Sequence, residues 1–222
     1  DFATPEPGQR LHEALETWMA KADGKAVIDY GFHMVLREFS ARTSAEVRAL
    51  AAIEGVTSFK MFMAYPGRLM AGDGEIAAAM DGARAHGGLV MLHAEDGPAI
   101  EALVAGALAR GDTAPRHHAR TRPPRTEADA VARGIALAER SGAAVYIVHL
   151  SSAEGLEAVR AGRARGARVF AETCPQYLCL SDAEYERPGF EAAMFVMSPP
   201  LRPAPDGAAL WRGLASGLVD TV

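Results

Sequence analysis

Short apolar runs alternate along this chain with longer stretches rich in Ala, Leu, Glu and Arg, and no other feature narrows the possible folds as much. The runs are Ala26–Met34, Val56–Ala64, Gly88–Ala94, Ala143–Leu150 and Ala167–Ala171. They are nearly all apolar, as strands covered on both faces are. The stretches between them carry helix-start chemistry. Thr43–Glu46 and Ser151–Glu154 have the hydroxyl-to-carboxylate spacing of a capping box, and Asp73 and Thr126 are candidate single caps. Strand then helix, returned through Gly-containing turns such as Ala85–Gly88 and Ser141-Gly142, implies parallel strands joined by right-handed crossovers. Two α/β architectures satisfy this, a doubly wound sheet and a barrel.

The chemically distinctive residues favour the barrel. Lys60, His93 and His149 lie near the C-terminal ends of strand runs, where a closed parallel barrel gathers its site. With 222 residues, 49% of them hydrophobic, and no linker or low-complexity tract, residues 1–222 read as one barrel domain. The net charge of -5 is scattered with no basic run, so the composition suggests neither a nucleic-acid groove nor an anionic membrane surface. Cys174 and Cys179 lack CxxC spacing, which argues against a disulfide scaffold or zinc knuckle and fits a reducing cytoplasm. No apolar run is long enough to span a bilayer. The chain opens Asp1-Phe2-Ala3 without an initiator Met, and the expectation is an internal segment.

Lys60 is the single lysine of an apolar strand. Facing the interior, it must be paired or lose its proton, and a deprotonated amine can become a Schiff-base nucleophile or a carbamate. At the rim it would simply reach solvent. His93 and His149 each end an apolar strand, in MLHAED and YIVHLSS. One strand-end histidine is more often a hydrogen-bonded core residue than a ligand, but two equivalent ones beside a lysine can hold a metal with an open position. His12, His86, His117 and His118 read as solvated surface residues, and His33 as core packing or support behind the site. Cys174 and Glu172 read as structural.

These blocks carry a resemblance. SFKMFMAY at 58–65, MLHAED at 91–96, YIVHLSS at 146–152, AETCPQYL at 171–178 and MSPPLR at 197–202 resemble the dihydropyrimidinase and hydantoinase branch of the amidohydrolase superfamily. With IDYGFHM at 28–34, the similarity runs through essentially the whole chain. It implies a (β/α)8 TIM-type barrel in which Lys60, carboxylated by CO₂, bridges two divalent metals, zinc in most members. His93 and His149 would bind the more buried one. The two metals would lower the pKa of a shared water, which attacks the amide carbonyl of a dihydropyrimidine or hydantoin ring. By the same resemblance Tyr65 donates to the developing oxyanion. Ser198 offers its main-chain groups to the imide-like edge of the ring, Pro199-Pro200 enforcing an extended backbone. Dihydroorotases typically have Asn before this Pro-Pro.

The sequence also departs from the family. The His-x-His pair of the first barrel strand and the aspartate ending the last strand are absent, and Asp220 sits before that aspartate's expected position. The barrel is therefore expected to be incomplete, with one metal half-site and little activity in this chain alone. The intact protein is expected to be a cytoplasmic homotetramer. Competing readings are a dihydroorotase or allantoinase, a non-catalytic scaffold relative, and a Schiff-base aldolase using Lys60.

Overall fold

A computed structural model describes all 222 residues. Six strands form one wholly parallel sheet in sequence order: β1 (Phe2–Ala3), β2 (His33–Val35), β3 (Ser58–Phe62), β4 (Leu89–His93), β5 (Val145–Ile147) and β6 (Val169–Ala171). Strand order never reverses, so there is no topological switch point of the kind a doubly wound sheet has. The winding is that of a barrel, while the sheet itself is open, with β1 and β6 at its edges. Past β6 the chain returns at Thr221 to bridge Glu172 in parallel.

Two faces follow from the period of two. Met34, Phe59, Val90, Val145 and Val169 lie in register across the sheet. Together with Met61, Leu92, Ile147 and Ala171 they belong to a single core of 39 buried residues shared with the helices. The opposite face carries Val35, Lys60, Met91, Tyr146 and Phe170 in register, with Phe62 beside His93. Toward β6 it is open, and the Phe170 side chain is 44% exposed.

The covering helices are α1 (Leu11–Ala22), α2 (Ala41–Ala49), α3 (Asp73–Arg84), α4 (Gly97–Ala109), α5 (Arg116–Arg120), α6 (Pro124–Ser141), α7 (Ala153–Ala164), α8 (Pro175–Cys179) and α9 (Ala204–Ala215). A π-helical turn, Leu50–Glu54, extends α2, and 3-10 turns occupy Asp182–Glu186 and Glu191–Phe195. Two glycines let the central helices come close. A Cβ at Gly134 of α6 would stand 2.7 Å from Leu92 Cδ1, and one at Gly162 of α7 would stand 2.8 Å from Ile135 Cγ2.

Several local expectations shift. Of the run Ala26–Met34 only its end is strand; Val27 and Ile28 are 96% and 80% exposed. Phe32, just before the strand, packs edge-on to Trp18 at 6.5 Å, so tertiary contact with α1 and not strand pairing engages it. Helix α2 starts earlier than Thr43, because Ser40 accepts from Thr43 N at 3.3 Å, and Glu46 is taken by Leu11 N at 3.0 Å. The cap of α7 is Ser152, accepting from Gly155 N at 3.0 Å, one residue beyond the expected box. Asp73 is the first residue of α3, where Glu75 reaches back to Gly72 N at 2.9 Å. Thr126 lies inside α6, its hydroxyl donating to Pro123 O at 2.8 Å, since Pro124 already provides the helical φ of a first position.

Candidate metal centre

Strands β3, β4 and β5 are adjacent, and they bring Lys60 in the middle of β3, His93 at the end of β4 and His149, two residues past β5, onto one face. Lys60 is 2% exposed. Its Nζ lies 5.0 Å from the centroid of Phe62 and 5.5 Å from that of Phe2, and burial lowers its pKa to about 7, with Glu172 and then Cys174 opposing the shift. Near neutrality a large fraction of this amine is uncharged, which is the nucleophilic form. The rim alternative, a solvated ammonium, does not hold.

His93 is 2% exposed, and its Nε2 faces Glu95 Oε2 at 2.9 Å. Glu95, two residues on along an extended chain, lies on the same face and is 1% exposed. Burial drives the His93 pKa well down, Lys60 and Arg122 adding to it, and burial raises that of Glu95 against the opposing charges of Arg202, Arg122 and His118; in a neutral ring whose Nε2–H donates to Glu95, the pair is satisfied. Nδ1 is left as the lone-pair nitrogen, in the manner of metal-ligating histidines oriented by an acid. It faces His149 Nε2 at 3.0 Å. Burial likewise lowers the His149 pKa well below its ordinary value, with His93 and Lys60 contributing. His149 Nδ1 is buried with no partner.

His149 reaches this position by a local departure from strand geometry. Val145 and Ile147 point into the helix-side core, so strict alternation would send residue 149 there as well. Instead His149 adopts φ 43, a left-handed conformation costing on the order of 1 kcal/mol for a non-glycine residue. The alternation resets: Leu150 enters the core and the imidazole turns to His93. Tyr65 is the other non-glycine with positive φ, at 67, and its ring sits 5.1 Å from that of His93. Burial raises the Tyr65 pKa and the Ser198 hydroxyl beside it opposes the shift, so the phenol keeps its proton and remains a donor.

Ser198 stands near His118, its Oγ 3.5 Å from His118 Nε2. This corrects the reading of His118 as a surface residue. It is half-buried, its Nε2 2.6 Å from Met197 O and its Nδ1 3.2 Å from Arg122 Nη1. A cleft of about 230 Å³ opens beside these groups between Tyr65, Arg68, Glu95, Ile100 and Arg122.

The remaining candidates have other partners. His33 Nδ1 meets Ser58 Oγ at 2.6 Å, and Glu172 accepts from Tyr146 OH at 2.8 Å. Asp220 Oδ2 is held by Arg163 at 2.6 Å and by Ala171 N at 2.8 Å. Burial raises the Cys174 pKa, the opposite of what an activated thiol needs. Sequence reasoning passed over the buried acids Glu95 and Glu127 and the arginines Arg122 and Arg202. Only Glu95 left a signal, its spacing of two from His93.

No group of three or more His, Cys, Asp and Glu side chains converges anywhere in the structure. The cluster supplies two imidazole nitrogens and an amine. Unmodified, that is an incomplete donor set for a divalent ion. Carboxylation of Lys60 would add an oxygen donor, and His149 Nε2 facing the His93 Nδ1 lone pair at 3.0 Å, with His149 Nδ1 left without a partner, fits imidazoles that a cation could take over once the Nε2 proton leaves.

A sequentially wound parallel sheet with buried nitrogen-bearing side chains gathered from three neighbouring strands defines an α/β protein with one polar cluster on the inner face of its sheet. No family model matches the sequence. The chain is 49% identical over 222 residues to a D-hydantoinase of Streptomyces coelicolor and 43% identical over the same length to a D-hydantoinase of Geobacillus stearothermophilus, covering 47% of each. The crystal structure of a dihydropyrimidinase from Brevibacillus agri superposes with a TM-score of 0.96 at 42% identity, over 99% of this chain and 48% of that one. The chain belongs to the D-hydantoinase and dihydropyrimidinase family, and it spans about half the length of the curated relatives it matches.

Proposed function

We propose that the protein containing this chain hydrolyses cyclic amides of the dihydropyrimidine and hydantoin type, with Lys60, His93 and His149 holding metal. The facing of His93 Nδ1 and His149 Nε2 at 3.0 Å, beside a buried lysine of lowered pKa, carries this reading. Uncharged Lys60 is the form that adds CO₂, forming an N–C bond and releasing a proton, and the resulting carbamate would offer metal oxygen donors where an ammonium would repel it. When bound, a pair of divalent metals, zinc in this reading, polarises the amide carbonyl and activates water at neutral pH.

The chain's own residues then do the rest. Glu95 fixes the tautomer of His93 so that Nδ1 presents its lone pair. Tyr65, kept protonated by burial, donates to the carbonyl oxygen as it gains negative charge. Ser198 aligns the amide edge of the ring beside Tyr65. The cleft between Tyr65, Arg68 and Ile100 gives room beside Tyr65 for one side of the ring. Sequential winding, a core on one face of the sheet, and relatives about twice as long support closure of the sheet into an eight-stranded barrel by further chain. Resemblance to the family underlies the expectation that the intact protein is a cytoplasmic homotetramer; no helix is long and apolar enough to cross a membrane.

The test is zinc content and turnover of dihydrouracil and hydantoin by the intact protein. Stoichiometric metal with metal-dependent ring opening is expected. A metal-free protein with no turnover would move the assignment to the scaffold relatives.

A further inference from the structure

The turn that carries His149 is held from outside its own strand. Glu127, 1% exposed on the first turn of α6, directs both carboxylate oxygens at residues 151 and 152. Its Oε1 accepts from Ser151 N at 3.0 Å and Ser151 Oγ at 2.8 Å. Its Oε2 accepts from Ser152 N at 2.8 Å and from the Ser152 hydroxyl. All four bonds go to this turn and none to an amide of α6. A carboxylate in that place could have capped its own helix, and it does not.

Arg202, 5% exposed, completes the arrangement. Its Nε donates to Ser151 Oγ at 3.0 Å and its Nη1 to Arg122 O, which joins the turn to the loop before α6 and to the segment that presents Ser198. On the other side Thr173 Oγ1 donates to Leu150 O at 2.7 Å. Gly155 makes room for this contact: a Cβ there would stand 2.8 Å from Glu127 Oε2 and 2.9 Å from Leu150 Cδ1.

Two residues before this fixed point lies His149 with its φ of 43. An unfavourable backbone conformation persists where its surroundings over-determine it. Release of residues 151 and 152 would let the chain resume strand alternation and turn the imidazole toward the core. We propose that Glu127, backed by Arg202 through Ser151, is a positioning residue that holds the left-handed His149 turn and so keeps its imidazole facing His93. The consequence for metal rests on the reading of the site given above; the clamp on the turn does not.

The experiment compares Glu127→Gln, Ser151→Ala and a control, Val159→Ala, which trims the buried face of α7, in the intact zinc-loaded protein. A glutamine at 127 keeps the shape but sets an NH₂ against donors at one of the two serines. Glu127→Gln should lose zinc to a chelator about tenfold faster or more. The visible spectrum of its cobalt-substituted form should change, and hydrogen exchange at residues 149–152 should accelerate. Ser151→Ala should shift all three the same way by less, and it carries the test if Glu127→Gln does not fold. Val159→Ala should lower Tm and move none of them. Equal behaviour of Glu127→Gln and Val159→Ala, or wild-type zinc release from Glu127→Gln, overturns the proposal. If the wild-type protein holds no zinc, the reading of the site fails, and unchanged exchange at 149–152 in Glu127→Gln would then overturn the clamp by itself.

Discussion

Lys60 sets function against stability in one side chain. Its burial without a carboxylate partner is costly in the absence of metal, as the pKa of about 7 records. Lys60→Met fills a similar volume with no charge to desolvate, so it should stabilise the metal-free protein at pH 7 by on the order of 1 kcal/mol or more. The same substitution should leave the intact protein unable to retain zinc. Urea unfolding of the metal-free form and metal analysis after dialysis give the two readouts, and the prediction is that they move in opposite directions. Glu95 acts through orientation. Glu95→Gln can leave the imidazole in the wrong tautomer, with Nε2 as lone pair and Nδ1 protonated toward His149. A loss of metal affinity of about 10- to 100-fold is expected by competition with a chelator, with little change in Tm.

At the scale of elements, α6, which carries Glu127, touches β4, which carries His93, where Gly134 meets Leu92. Gly134→Ala would put a methyl 2.7 Å from Leu92 Cδ1 and should cost about 1–3 kcal/mol, read by denaturant unfolding. Leu92→Ala opens a cavity at the same contact and should cost about 2–5 kcal/mol. How far these elements were legible in the sequence depended on what fixes each. The apolar runs around Lys60 and His93 became strands β3 and β4, since each is apolar on the helix face and shielded at the site face. The run at 26–32 did not, because apolar composition alone cannot specify pairing, and Phe32 found Trp18 instead. Helix starts slipped by one to three residues where a second hydroxyl or glycine competed for the cap, as at Ser40 and Gly72. His93 and His149 were legible as residues at or just past strand ends, and Lys60 as the one lysine of an apolar strand, though it sits at the middle of β3 and not near its end. The groups that orient them were not: Glu127 lies 24 residues from Ser151 and Arg202 lies 51 away, distances at which spacing carries no signal.

For the whole molecule, the two faces of the sheet define what remains uncovered. One face is sealed by the helices, while the other exposes Phe170 at its β6 side, and a parallel sheet is stable when both faces are covered. The 222-residue chain expressed alone should therefore bind an apolar fluorophore such as ANS and elute as a polydisperse series of aggregates on gel filtration, and the intact protein should bind little ANS and elute as one discrete species. The central claim concerns Lys60, His93 and His149 as one metal centre. It is tested most directly by anomalous diffraction at the zinc edge from crystals of the intact protein. A peak between His93 Nδ1 and His149 Nε2, with density for a carboxylate on Lys60 Nζ reaching it, is the predicted result. An unmodified amine, and no peak where the two imidazoles face each other, would contradict it.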